Sequence, residues 1–212
     1  MNRIGTPQKK VVSPLPQAFY ERDPETVARA MLGKCIVRER NGERLSGRIV
    51  EVEAYFGSDD PAAHAFAGRT ARNAVLFGPP GFAYVYFIYG MYYCLNVSCE
   101  PDGQPGGVLI RALEPLEGLA TMATLRNLPC HAKPRLLTSG PGRLCQALDI
   151  TRAAHNGLDM TSPSSCLRME DDGYRPEGIL VTPRIGIRHA AERPARFLIE
   201  GNKFVSAAPR NG

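Results

Sequence analysis

Residues 48–55 alternate polar and apolar side chains: Arg48-Ile49-Val50-Glu51-Val52-Glu53-Ala54-Tyr55. Successive side chains on a strand point to opposite faces. Glu51, Glu53 and Tyr55 therefore share one face, and Val50, Val52 and Ala54 turn to a core. The plain expectation for this pattern is a half-buried strand with a solvated acidic side. The sharper expectation is that two carboxylates beside an aromatic ring serve chemistry.

The surrounding pattern predicts several further elements. Asp23-Pro24-Glu25 is a helix start, with Asp as cap and Pro in the first helical position. Val27, Ala28, Met31 and Leu32 give that helix an apolar face, and Gly33 closes it. Cys35–Arg40 reads as a strand, and Asn41-Gly42 as the hairpin turn feeding the strand that carries Glu53. Asp59-Asp60-Pro61 predicts a short helix carrying His64. A loop, Gly78-Pro79-Pro80-Gly81, precedes the aromatic run Tyr84–Tyr89. Tyr93–Cys99 and Val108–Leu113 read as strands, Leu116–Arg126 as a helix, and Gly140-Pro141-Gly142 as the start of a helix through Leu148. Residues 151–178 read as a polar surface excursion, and Ile179–Arg188 and Arg196–Val205 as strands. Helices and strands mix without βαβ alternation. The expected fold class is α+β, a single domain with a curved, mostly antiparallel sheet and surrounding helices. Residues 1–17, with Pro7, Pro14 and Pro16 and little periodicity, are expected to form a flexible arm ahead of a domain over 18–212.

Composition narrows the class. The hydrophobic content of 43% suits a globular core, and no apolar run approaches the roughly 20 residues of a membrane span. The N-terminus lacks the apolar stretch of a secretion signal, so a cytoplasmic protein is expected. A net charge of +5 and a pI near 9.0 favour an anionic partner, but the basic residues are scattered. The six Cys form no Cys-x-x-Cys pair and the four His do not cluster with them, which argues against a zinc site. Cys35, Cys94 and Cys145 sit in apolar surroundings and read as small buried residues.

Tyr84, Tyr86, Tyr89, Tyr92 and Tyr93 fall within ten residues, while Trp is absent. Aromatic residues suit strands and cores. A buried Tyr hydroxyl needs a partner, however, so five together suggest a rim or stacking pocket. Aromatic pockets in basic proteins hold nucleobases taken out of the helix.

In order along the chain, Gly47–Tyr55, Ala62-Ala63-His64, Arg72-Asn73, Tyr84–Tyr92, Cys94–Val97, Leu109–Pro115 and Ser139–Leu148 resemble the alkyladenine DNA glycosylases, also called 3-methyladenine or N-methylpurine DNA glycosylases. The resemblance covers roughly residues 20 to 208 and points to a bacterial member. Two stretches depart from the family pattern: the loop Ala65–Ala71 is one residue shorter, and 151–178 does not follow it.

The resemblance implies a DNA repair hydrolase that flips a damaged purine, alkylated or deaminated, from duplex DNA. It cuts the base–sugar bond and leaves an abasic site. It assigns Glu53 as the base activating water, with Arg111 holding the backbone or the water network. Tyr55, His64 and Tyr86 line the base pocket, and Asn96 crowds the edge where guanine carries its 2-amino group. Tyr89 is the wedge, supported by Met91 and Tyr92. Arg69, Arg72 and Arg143 are candidate phosphate contacts. No metal and no cofactor are implied; the partner is double-stranded DNA containing damaged purines, met by a monomer. Spacing alone leaves Glu51 and Glu53 as rivals for the base role. Two other functions are open to the pattern: a non-catalytic binder of damaged or single-stranded nucleic acid, which has no use for the carboxylate, and a glycoside hydrolase using both Glu residues. Carboxyl groups two apart on one strand lie on one side of a substrate rather than flanking it, which argues against the latter.

Overall fold

The computed structural model describes residues 12–206. Its elements, in chain order, are α1 (Gln17–Tyr20), α2 (Pro24–Met31), β1 (Cys35–Arg40), β2 (Glu43–Tyr55), β3 (Ala83–Ile88), β4 (Tyr92–Ser98), β5 (Gly107–Glu117), α3 (Leu119–Leu125), α4 (Arg135–Thr138), α5 (Pro141–Ala147), α6 (Arg152–His155), β6 (Leu167–Glu170), β7 (Ile179–Thr182) and β8 (Arg196–Ile199). The strands form one antiparallel sheet in the order β3-β4-β5-β2-β1-β6, with β8 pairing β2 and β7. This is the expected α+β class. Of the arm expected over 1–17, residues 1–11 lie outside the described part, and Pro14 and Leu15 rest against Glu170 and Met169.

Several elements form for the reasons visible in the sequence. The Asp23 carboxylate accepts the Thr26 N–H at 2.9 Å and caps α2, and Val27, Ala28 and Met31 bury completely. Asn41 and Gly42, at φ +50° and +78°, turn β1 back into β2, the left-handed pair such a tight hairpin needs.

The long strand β2 positions the site. It is flanked on one side by β5 and on the other by β1 in its first half and β8 over Glu51–Glu53. Its middle therefore has strands on both sides. Val50, Val52 and Ala54 join the main core, as alternation predicts. The acidic face is not solvated: Glu51 and Glu53 are both 0% exposed. The expectation of a wet acidic side fails because β8 and the chain beyond it cover that face.

Four other expectations are corrected. No helix carries His64; residues 61–67 run as turns after a short 3-10 turn at Gly57–Asp59. Leu116 belongs to β5, and the helix begins only at Leu119, because Gly118 at φ +77° breaks the chain direction. The stretch 151–178 is no mere surface excursion. It holds α6 and β6, which pairs with β1, and it buries Met160, Leu167 and Met169 completely. The strands expected over 179–188 and 196–205 shorten to β7 and β8.

Candidate active site

Two opposed bulges shape the site. Ile49 pairs with Leu113 and Glu51 with Ala112, then Val52 pairs with Ile110, so Val50 on β2 and Arg111 on β5 are each the extra residue. Bulges next to functional sites re-aim side chains. Here the second one turns Arg111 between the two carboxylates, with Nε 3.1 Å from Glu51 Oε1 and Nη1 3.2 Å from Glu53 Oε1. Burial alone would lower the Arg111 pKa; Glu53 first and Glu51 second more than offset this and raise it.

The two carboxylates are treated differently. Glu51 Oε1 accepts from Arg111, from Arg196 Nε at 2.7 Å and from the Ser206 hydroxyl at 2.8 Å, and its Oε2 accepts the Ser206 N–H at 2.6 Å. Glu53 Oε1 accepts the Ile185 N–H at 2.8 Å beside Arg111. Its Oε2 accepts one bond, from the Tyr55 hydroxyl at 2.9 Å. A carboxylate oxygen can accept two bonds, so each Oε2 has room for one more; Glu51 Oε2 is held by the Ser206 backbone and Glu53 Oε2 by the Tyr55 hydroxyl. Burial first, and the Glu53 charge second, push the Tyr55 pKa far up, which keeps its hydroxyl a donor.

A cavity of about 350 Å³ is lined by residues that include Tyr55, His64, Tyr86, Asn96, Leu109 and Arg111; Glu53 lies behind this lining and not in it. Tyr55, Arg111 and Ile185, the three partners of Glu53, all belong to this lining. The aromatic wall comes from β3, where Tyr84, Tyr86 and Ile88 share a face, and from β4, where Tyr92, Cys94 and Asn96 do. The His64 ring meets Tyr86 edge-on, centroids 4.5 Å apart, and its Nδ1 lies 2.9 Å from the Tyr84 hydroxyl. Burial, reinforced by Arg72, lowers the His64 pKa and favours the neutral ring. Burial raises the Cys94 thiol, so it stays protonated. Asn96 Nδ2 donates to the Tyr84 carbonyl at 3.2 Å, which fixes the amide at the cavity floor. Pro141 and Gly142 of α5 close the opposite side, with Gly142 seated against the Tyr92 ring.

At the rim, the β3–β4 turn holds Tyr89 at φ +55° and 77% exposed. A bulky residue in the left-handed region is strained, and such strain gathers at functional sites. Met91 is exposed beside it and lies outside the cavity lining, whereas Tyr89 and Tyr92 belong to it. Arg69, Arg72 and Arg143 are all exposed; the Arg72 guanidinium stands 6.0 Å from the Tyr86 ring centre, and Arg143 donates to the Ser139 carbonyl at 3.4 Å.

Sequence reasoning missed several participants. Arg184, Ile185 and Gly186 approach from the loop after β7, and Arg196 and Ser206 hold Glu51 from the far end of the chain. None sits in a short motif; the only signal was a scatter of arginines.

The fold and site define an α+β protein with a buried carboxylate pair behind an aromatic cavity. The family model described as methylpurine-DNA glycosylase matches residues 18–203, and the chain belongs to that family. It is 57% identical over 195 residues to a Koribacter versatilis protein named, provisionally, a 3-methyladenine DNA glycosylase, covering 92% of this chain and 94% of that one. Relatives with the same provisional name occur in Methanocella arvoryzae, 50% identical with 91% and 95% covered, and in Burkholderia lata, 48% identical with 91% and 90% covered.

Proposed function

We propose that this protein is a monofunctional DNA glycosylase that removes alkylated purines from double-stranded DNA, with Glu53 as the base that activates water. The observation carrying this reading is that Glu53 Oε2, with room for one more donor, is bonded to Tyr55 of the cavity lining, whereas Glu51 accepts four bonds and its Oε2 is bonded to Ser206, outside that lining. Family membership supports DNA as the partner and N-glycosyl hydrolysis as the reaction.

The damaged nucleotide turns out of the duplex and its base enters between Tyr55 on one side and the touching His64 and Tyr86 rings on the other. Alkylation at N3 or N7 gives the purine a positive charge. Electron-rich ring faces favour such a cation by about 0.5–2 kcal/mol per contact, and damaged bases unstack at lower cost. The neutral state of His64 avoids placing a second cation beside it. Glu53 is buried in the free protein, so water reaches Oε2 at the rim formed by Tyr55, Arg111 and Ile185 as the nucleotide enters. The water oxygen bonds to the sugar C1′ and its proton passes to Glu53. The base departs with the electron pair of the glycosidic bond, which cancels its positive charge. The Glu53 carboxylate also stabilises the developing oxocarbenium sugar. Arg111 orients Glu53, and the fixed Asn96 amide crowds a 2-amino group, a handicap that undamaged guanine, a poor leaving group, does not offset and that cationic 7-methylguanine, which leaves readily, does. Tyr89, backed by Met91 and Tyr92, fills the space the nucleotide leaves, and Arg69, Arg72 and Arg143 meet phosphates. The reading includes a monomer acting in the bacterial cytoplasm; among the described residues no helix is long and apolar enough to cross a membrane.

The test is direct. A duplex with one 7-methylguanine and an undamaged control are incubated with the protein, and free base is separated from DNA. The expected result is free 7-methylguanine and a strand that breaks only after alkali. Tight binding with no free base would leave a binder in place of an enzyme.

A further inference from the structure

Behind Tyr55 lies an ion pair that the hydrolysis itself does not touch. Arg184 and Asp60 have fully buried side chains. Arg184 Nη2 donates to Asp60 Oδ1 at 2.8 Å, and Nη1 donates to Asp60 Oδ2 and, at 3.0 Å, to the Ala54 carbonyl. The guanidinium lies 4.7 Å from the centre of the Tyr55 ring. Asp60 in turn accepts the N–H groups of Phe56 at 3.2 Å and Ala62 at 3.1 Å, which shapes the turn leading to His64. A second link ties the same two segments together: the Arg193 guanidinium lies 3.7 Å from the Phe56 ring centre. The residue after Arg184 is Ile185, whose N–H donates to Glu53 Oε1.

An isolated buried ion pair is a poor source of stability, because desolvation offsets its attraction. Its worth lies in geometry. The planar fork of Arg meets a carboxylate, a carbonyl and a ring face at once, which Lys cannot do. We propose that Arg184 and Asp60 are positioning residues for hydrolysis: their pair holds the Ile185 N–H on Glu53 Oε1 and the Tyr55 ring against the cavity, leaving Oε2 for the water. This rests on the reading of Glu53 as the base. It adds that the two walls of the cavity, one leading to His64 and one formed by Ile185 to Ile187, are joined through this ion pair, with Arg193 on Phe56 as a second link.

The groups facing Glu53 are Arg111 and, through it, Glu51, then Tyr55, Cys94 and Arg184. An N–H bonded to a carboxylate favours its charged form. Losing the Ile185 contact should therefore slow base release more than it weakens binding of the damaged duplex.

The experiment measures single-turnover release of 7-methylguanine, affinity for the damaged duplex, and Tm. It uses the wild type, Arg184→Lys and Asp60→Asn. Expected for both variants is release slowed by about 100-fold, the cost of a misplacement near 1 Å, with affinity close to wild type. Variants that lose only Tm, with wild-type rates while folded, would overturn the proposal. Amide exchange in the wild type gives a measure independent of variant folding: the Ile185 N–H should exchange far more slowly than that of its exposed neighbour Gly186, and equal rates would overturn the proposal. A wild type that releases no base would sink the glycosylase reading itself, a result distinct from active wild type with unaffected variants.

Discussion

At the scale of residues, the site turns on how two glutamates two positions apart are bonded. The alternation over 48–55 places both on one face, and that much was legible in the sequence. Alternation alone left Glu51 and Glu53 as rivals, with only the family resemblance naming Glu53, because the donors that treat them differently come from positions 111, 185, 196 and 206. No local pattern announces a contact across that separation. The burial of both was also hidden, since an acidic strand face reads as wet until its cover is known. The bonding implies different costs of removal. Glu51→Ala leaves Arg111 and Arg196 without the carboxylate they share, and breaking a buried charge pair costs roughly 3–5 kcal/mol. At roughly 2–4 °C per kcal/mol for a chain of this size, Tm should fall by about 6–20 °C. Thermal unfolding of Glu51→Ala against wild type checks this; an unchanged Tm would mean that Glu51 is not the structural member of the pair.

At the scale of elements, the hairpin at Asn41-Gly42, the capped α2 and the helix opening at Pro141 were legible because each depends on a few adjacent residues. The bulges at Val50 and Arg111 were not, since a bulge exists only relative to a partner strand. The helix expected around His64 fails for a related reason. Asp60, which reads as a helix cap, instead spends its oxygens on Phe56, Ala62 and Arg184. One element contact can be tested by adding a methyl group. A Cβ on Gly142 would lie 2.9 Å from Tyr92 ring carbons. Gly→Ala within a helix normally gains about 1 kcal/mol, but overpacking costs about 1–3 kcal/mol. Gly142→Ala should thus lower or at best hold the urea midpoint and weaken binding to damaged DNA through Tyr92. A raised midpoint with unchanged binding would contradict the close seating of α5 on the cavity wall.

At the scale of the whole molecule, the α+β class and the antiparallel sheet followed from hairpins and strand patterns, but the sheet's far edge did not. β6 pairs with β1 across more than a hundred intervening residues, and its short apolar content is diluted by polar neighbours. Charge acts at this scale too. A net charge of +5 suits a modest number of phosphate contacts. If Arg69, Arg72 and Arg143 each neutralise one phosphate, log K for duplex binding should fall with log salt at a slope of roughly −2.7. Each Arg→Ala change should reduce that slope by about 1, measured by fluorescence anisotropy over a salt series. A slope untouched by all three changes would move the DNA to another face.

The account as a whole stands on Glu53, and rapid-quench single-turnover release of 7-methylguanine from duplex DNA by Glu53→Gln tests it most directly. The amide keeps the shape and the acceptor oxygen but cannot take a proton from water. General base catalysis contributes roughly 100- to 10,000-fold. The account predicts a loss of that order at least, with affinity for the damaged duplex near that of wild type. Release within a few-fold of wild type, by a variant that binds normally, would contradict it.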